Sequence, residues 1–196
     1  MSGLDGTKVQ TALLGAPTCA HTRTQISVST LRDSSFVVLT GSDMGRGAFT
    51  DPEIRTILDT FAAVVAKNPD VDAARLRTLA YAALSPLWTA DNTVTASPYD
   101  LVVKCASRLI FAISMPDWSF EPARIKMKTA SQPGEFAGLD WLTLDGVSME
   151  PNAFQLVDSH EQTDESFEFA LFLDAAQANG AQHTRVIIDP MIINED

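Results

Sequence analysis

The segment Glu165-Ser-Phe-Glu-Phe-Ala-Leu-Phe-Leu173 constrains the fold more than any other stretch of this chain. Phe167, Phe169, Leu171 and Leu173 fall on one side of a period-two pattern, and Ser166, Glu168, Ala170 and Phe172 on the other. That alternation marks a half-buried strand. Gln182-His-Thr-Arg-Val-Ile-Ile-Asp189 reads as a second strand, and the linker between them contains the turn dipeptide Asn179-Gly180. A terminal β-hairpin is the expectation. The signal is structural and carries no chemistry of its own.

With 196 residues, 45% hydrophobic and 20% charged, the chain has an ordinary globular composition and enough length for a sizeable core. Its opening, Met-Ser-Gly-Leu-Asp-Gly, has no basic segment followed by an apolar run, so it does not read as a signal peptide. No apolar stretch nears the ~20 residues that span a bilayer. The expectation is a soluble cytoplasmic protein that does not enter membranes. Cys19 and Cys105 stand too far apart for a metal or redox spacing, and Cys105, in an apolar run, reads as a small buried hydrophobe.

The net charge of −11 is unevenly spread. Residues 1–131 hold 13 Lys and Arg against 12 Asp and Glu, whereas residues 132–196 hold one basic residue, Arg185, against 13 acids. The C-terminal third is therefore expected not to bind nucleic acid directly.

Along the chain, residues 1–23 are small and polar and read as a flexible arm. Thr24–Thr30 and Ser35–Thr40, joined by Arg32-Asp33-Ser34, predict a hairpin. Thr50-Asp-Pro-Glu53 is a capping box that starts a helix, with Ile54, Ile57, Leu58, Phe61, Val64 and Val65 at helical spacing and Asn68-Pro69 at its end. A second helix over about 71–84 turns Leu76, Leu79, Ala80, Ala83 and Leu84 inward. Ser97-Pro-Tyr-Asp100 reads as the start of a third, through Leu101, Val102, Cys105 and Leu109, with a strand from about Ile110 to Met115. Pro116–Pro122 reads as a turn, after which Arg124–Lys128, Leu139–Leu144 and Asn152–Val157 read as strands. The fold class is α+β: an N-terminal β-hairpin, two or three helices, then an antiparallel β-sandwich. The divisions are an arm at 1–23, a hairpin with helices at 24–109 and a sandwich at 110–196, the last two able to form one compact domain.

The candidate chemistry is sparse. Gly41-Ser-Asp-Met-Gly-Arg-Gly47 is a glycine-rich stretch between strand and helix, but it fits neither dinucleotide nor phosphate-loop spacing, and no cofactor is implied. Cys19-x-His21 offers two metal ligands where a site needs more. Asp158-Ser-His-Glu-Gln-Thr-Asp-Glu165 gathers four carboxylates, so Asp158, Glu161, Asp164 and Glu165 are candidate ligands for calcium or another hard cation. The spacing is not that of an EF-hand, and a solvated loop is the plainer reading. Asp158, Ser159 and His160 are consecutive, so their side chains diverge and form no triad. No catalytic residue is singled out.

The chain ends in Ile188-Asp189-Pro190-Met-Ile192-Ile-Asn194, preceded by Leu156-Val157-Asp158 and by Phe167-Glu-Phe169-Ala-Leu171. A D-P-x-I-x-N ending after an aromatic alternating strand resembles small bacterial β-sandwich proteins of the inclusion-body (AidA/PixA) type, over residues 154–194. The resemblance implies a fold and no activity. Read physically, Asp189-Pro190 ends a strand, because proline cannot donate to a ladder, and Ile192 folds back onto the core. The functional expectation is a non-enzymatic, self-associating structural or binding protein with an acidic C-terminal β-sandwich. The alternative is a small hydrolase or a cation- or ligand-binding domain using the 41–47 or 158–165 loops. Self-association is expected head to tail, with Arg124, Lys126 and Lys128 meeting the acidic third of a neighbour.

Overall fold

A computed structural model describes residues 24–30, 37–44, 50–84, 101–103, 106–115, 117–176, 183–189 and 191–194. The arm at 1–23, Cys19, His21, Cys105, the turns at 32–34 and 179–180, and the stretch 85–100 lie outside the described residues.

The described chain is mostly antiparallel sheet with few helices. Its elements are β1 (Thr24–Thr30), β2 (Val37–Met44), α1 (Asp51–Lys67), α2 (Ala73–Leu84), β3 (Leu101–Val103), β4 (Ser107–Ile113), β5 (Trp118–Met127), β6 (Phe136–Trp141), β7 (Thr143–Leu144), β8 (Val147–Ser148), β9 (Ala153–Asp158), β10 (Glu165–Ala176), β11 (His183–Ile188) and β12 (Met191–Asn194). One sheet runs β1-β2-β4-β9-β6, antiparallel throughout. The second runs β11-β10-β12-β3, with β5 on β10 and, among the described residues, a single parallel pair, β12 with β3. The terminal hairpin forms as the alternation demands, with Leu171 opposite Ile188 and Ala176 opposite His183. No helix among the described residues is long and apolar enough to cross a membrane.

The first sheet works on both faces. From β4 and β9, Leu109, Phe111, Ile113, Phe154 and Leu156 point to the second sheet and meet Phe120, Phe167, Phe169, Leu171 and Leu173. Phe111 stacks on Phe154 with ring centroids 4.7 Å apart, and Phe120 meets Phe154 edge-on at 4.8 Å. Such pairs add to the burial of their apolar area. The opposite face, through Ala112 and Ala153, packs under Ile54, Ile57, Leu58, Phe61 and Val65 of α1 and Leu76, Ala80 and Leu84 of α2. Helix α1 starts where the capping box places it: the Glu53 carboxylate accepts the Thr50 N–H at 2.8 Å and the Thr50 hydroxyl at 3.0 Å. Across the layers, Arg55 donates to the Leu144 carbonyl at 3.0 Å, and Asp51 accepts the Asp145 N–H at 3.0 Å. The Asp145-Gly146 turn between β7 and β8 has both residues at positive φ, as a two-residue hairpin turn requires.

Four expectations are corrected. Leu101–Val103 and Ser107–Ile113 are strands, so no helix runs from Leu101 to Leu109. In Ser107–Ile113, Leu109, Phe111 and Ile113 are buried on one face and Ala112 on the other, which a ladder satisfies and a one-sided helix does not. The same strand crosses residue 109, so the division at 109/110 passes through β4. The stretch 116–122 is mainly strand, since β5 begins at Trp118. Pro122 is tolerated there because four residues, 121–124, stand between the rungs at Phe120 and Ile125, while only Phe172 separates their partners on β10. The strand bulges at this point, and Arg124 takes φ 55°. Finally, residues 41–44 are not a connector but the last part of β2, with 41–43 paired on both sides to β1 and β4 and Met44 to β4.

Candidate functional site

The polar centre of the molecule is buried and lies where the two sheets close on each other. Asp158 is the last residue of β9 in the first sheet, and Asn194 the last of β12 in the second. Glu135 stands just before β6, after the turn in which its own N–H bonds the Gln132 carbonyl at 3.1 Å and Gly134 takes φ 100°. All three side chains are 0% exposed.

Glu135 is the hub. Its Oε2 accepts the N–H of Glu161 at 3.2 Å, the N–H of Gln162 at 3.1 Å and the Ser159 hydroxyl at 3.4 Å. Its Oε1 accepts the Asn194 amide at 2.9 Å. That amide also reaches Asp158 Oδ1 at 3.4 Å, and the same oxygen accepts the His160 N–H at 2.9 Å. His160 takes φ 55°, which turns its ring toward β3, where Nε2 donates to the Val103 carbonyl at 3.0 Å. One cluster thus joins β3, β9, β12 and the turns at 132–135 and 159–162.

Buried carboxylates are costly unless fully paired. Burial raises Asp158 to about 7, the nearby Glu135 carboxylate adds to that, and the His160 N–H and Asn194 amide oppose it. Asp158 Oδ2 and Asn194 Oδ1 are buried without a hydrogen-bond partner. A proton on Asp158 makes its carboxyl a donor to the Glu135 carboxylate beside it, so two acids coexist in one buried site.

The candidate cation ligands do not come together here. Asp158 is buried in the cluster, whereas Glu161, Asp164 and Glu165 are exposed, the last at the start of β10. The stretch 158–165 is therefore not one solvated loop, because its first carboxylate belongs to the core. Among the described residues no group of three or more His, Cys, Asp or Glu is arranged to hold a metal ion. His160 faces Val103, while His183 bonds Asp174 at 2.7 Å on the exposed hairpin, so these histidines do not converge. Of the 41–47 stretch, residues 41–44 are strand and the rest lie outside the described residues.

A groove of about 370 Å³ lies between α1 and the ends of β4 and β9, lined by Leu58, Asp59, Ile113, Met115, Met149 and Asn152 among others. Its lining holds one carboxylate, Asp59, and one hydroxyl, Ser114, and no histidine or cysteine, so no imidazole or thiol takes part in it.

Sequence reasoning missed Glu135 and Asn194. Asn194 had a signal: it shares the inward side of β12 with Ile192, a polar residue on an apolar alternation. Glu135, between a turn and a strand, had none. Compared with protein-family models, curated proteins and solved structures, the chain matches none of them.

Proposed function

We propose that this chain is a non-enzymatic, self-associating structural or binding module of the cytoplasm, an antiparallel β-sandwich carrying an N-terminal hairpin and helices. The observation that carries the reading is the edge of the second sheet. Strand β11 pairs with β10 alone among the described residues, and it presents Ile187, 49% exposed, on that edge. An unpaired edge with an exposed β-branched residue and no proline or lysine in the strand is a template for another strand. The catalytic alternative loses support because Asp158, Glu135 and Asn194 are closed from solvent and spent on one another. The likeness of residues 154–194 to inclusion-body proteins of the AidA/PixA type fits the same reading. Two of its motifs, ending in Asp158 and Asn194, meet in the buried cluster.

The head-to-tail contact through Arg124, Lys126 and Lys128 has less to offer than the sequence suggests. Lys128 bonds Asp189 of its own chain at 2.6 Å, and the Arg124 guanidinium lies 4.9 Å over the Trp141 ring. The test is solution mass by light scattering over a concentration series at low salt. The reading expects a mass above that of one chain; a single-chain mass at every concentration overturns it.

A further inference from the structure

We propose that the groove between α1 and the ends of β4 and β9 binds a small organic molecule that joins one primary ammonium group to a short apolar body. The site is built within one chain, so it goes beyond the self-association proposed above and does not depend on it.

The apolar body has a place because alanines fall together there. Ala112 of β4 and Ala153 of β9 stand directly opposite each other in the ladder, on the face that meets α1. Ala62 of the helix lines the same space, with Leu58, Met115 and Met149 beside it. The groove of about 370 Å³ is the size of a small-molecule pocket, which runs from about 300 to 1,000 Å³. The two methionines are half-buried, and their flexible side chains can adapt to an apolar guest. The main chain fixes one end: Ile113 N–H donates to the Asn152 carbonyl at 2.9 Å, and the Asn152 and Ala153 N–H groups donate to the Met149 carbonyl at 2.8 and 3.0 Å.

The polar lining names the charged end. Asp59, Ser114 and Asn152 also line the groove, and none of these side chains is bonded to another described residue. A carboxylate, a hydroxyl and an amide oxygen all accept, whereas a primary ammonium carries three donors and no acceptor. Charge points the same way. The turns that supply Met115 and Asn152 carry Asp117 and Glu150, both exposed, and residues 112–118 and 149–153 contain no lysine or arginine. Arg55, about one turn before Leu58 on α1, is held by the Leu144 carbonyl and Asp145. An anion is therefore repelled and a cation drawn in. A second charge at the far end of the guest would rest on Ala112, Ala153 and Ile113 with nothing to pair it, which is costly. The site thus favours a monoamine over a diamine.

The experiment is an NMR titration of the full chain, labelled with nitrogen-15, with n-hexylamine at neutral pH and about 0.15 M salt, where the amine is charged and long-range attraction is screened. Amide signals of residues 112–115 and 149–153 are expected to shift and saturate, with a Kd on the order of a millimolar for so small a probe. Hexan-1-ol, which keeps the tail and lacks the charge, and 1,6-diaminohexane, which adds a second charge, are each expected to bind about tenfold more weakly. Asp59→Asn, an exposed change on the helix, should bring hexylamine down to the level of hexanol and leave hexanol itself unchanged. Ala62→Leu, at a partly exposed helix position, should fill the groove and abolish binding of both; if that variant fails to fold, Asp59→Asn and the three probes still decide. The proposal is overturned if hexylamine gives no saturable shift, if the shifts lie away from the groove, if hexanol or the diamine binds as tightly, or if Asp59→Asn changes the hexylamine affinity less than about twofold. None of these outcomes bears on the solution mass, which tests self-association alone.

Discussion

The Asn194 amide lies 2.9 Å from Glu135 Oε1 and ties the last strand to a turn 59 residues earlier in the chain. The two side chains come from different elements and are both fully buried, so the bond holds the second sheet against the first beside the edge-on pair Phe136–Phe167, whose ring centroids are 5.0 Å apart. The other partners of Glu135 are main-chain N–H groups and a hydroxyl, and Asp158, its carboxyl raised to about 7 by burial, lies beside it. That is a structural arrangement and offers no free acid or base to a substrate.

Glu135 should therefore be the costliest polar residue to remove. Glu135→Ala leaves the N–H groups of Glu161 and Gln162 and the Asn194 amide without their acceptor. A loss of about 3 kcal/mol is expected, the usual result of orphaning buried donors. Urea unfolding measures it, and a loss below about 1 kcal/mol would mean the turn re-forms its bonds elsewhere.

Asp158 gives a pH signature. Its carboxyl keeps a proton to about 7 in the fold, against an ordinary value of 3.8. Between those values the folded chain binds more protons than the unfolded one, so this group's contribution to stability falls as pH rises through that window and is level above it. Asp158→Asn removes the titration and keeps the shape. Relative to wild type it should gain stability from pH 4 to pH 7, by up to a few kcal/mol at ~1.36 kcal/mol for each pH step of one. Melting curves of both proteins at pH 4, 5.5 and 7 check this; a constant difference would contradict it.

Calcium should not act on this protein through the 158–165 stretch. A ligand that binds only the folded chain raises its melting midpoint by mass action. With Asp158 committed to Glu135 and Asn194, and Glu161, Asp164 and Glu165 exposed, millimolar calcium should leave the midpoint unchanged. A rise abolished by Glu161→Gln would restore the cation reading.

The cap of α1 is local and should behave so. Glu53→Ala removes both bonds to Thr50 and a negative charge from the positive helix end, with an expected loss of about 1 kcal/mol. Thr50→Ala, which keeps the bond from the residue-50 N–H to Glu53, should cost less. Thermal melts of the two variants compare them, and equal losses would place the weight on the hydroxyl.

What the sequence made legible was periodic. The inward set Phe167, Phe169, Leu171 and Leu173 and the face Ile54, Ile57, Leu58, Phe61 and Val65 are buried as their spacing requires. What it hid was non-local or two-sided. Residues 101–109 read as helix because β4 is buried on both faces and loses the alternation that identifies a strand. The bulge that admits Pro122 depends on Phe172 of β10, far along the chain. The cluster was half legible: Asp158 and His160 stood out by composition, but their roles were invisible without Glu135 and Asn194, which only the folded topology brings to them.

The direct measure of whether Glu135 and Asn194 hold the sheets together is a double-mutant cycle of Glu135→Ala and Asn194→Ala, read by urea unfolding at pH 7. Side chains bonded in one buried network should show a coupling energy of about 1–3 kcal/mol, the double variant losing less than the two single losses added. Additive losses, with coupling below about 0.5 kcal/mol, would contradict the bond's role as the closure between the sheets.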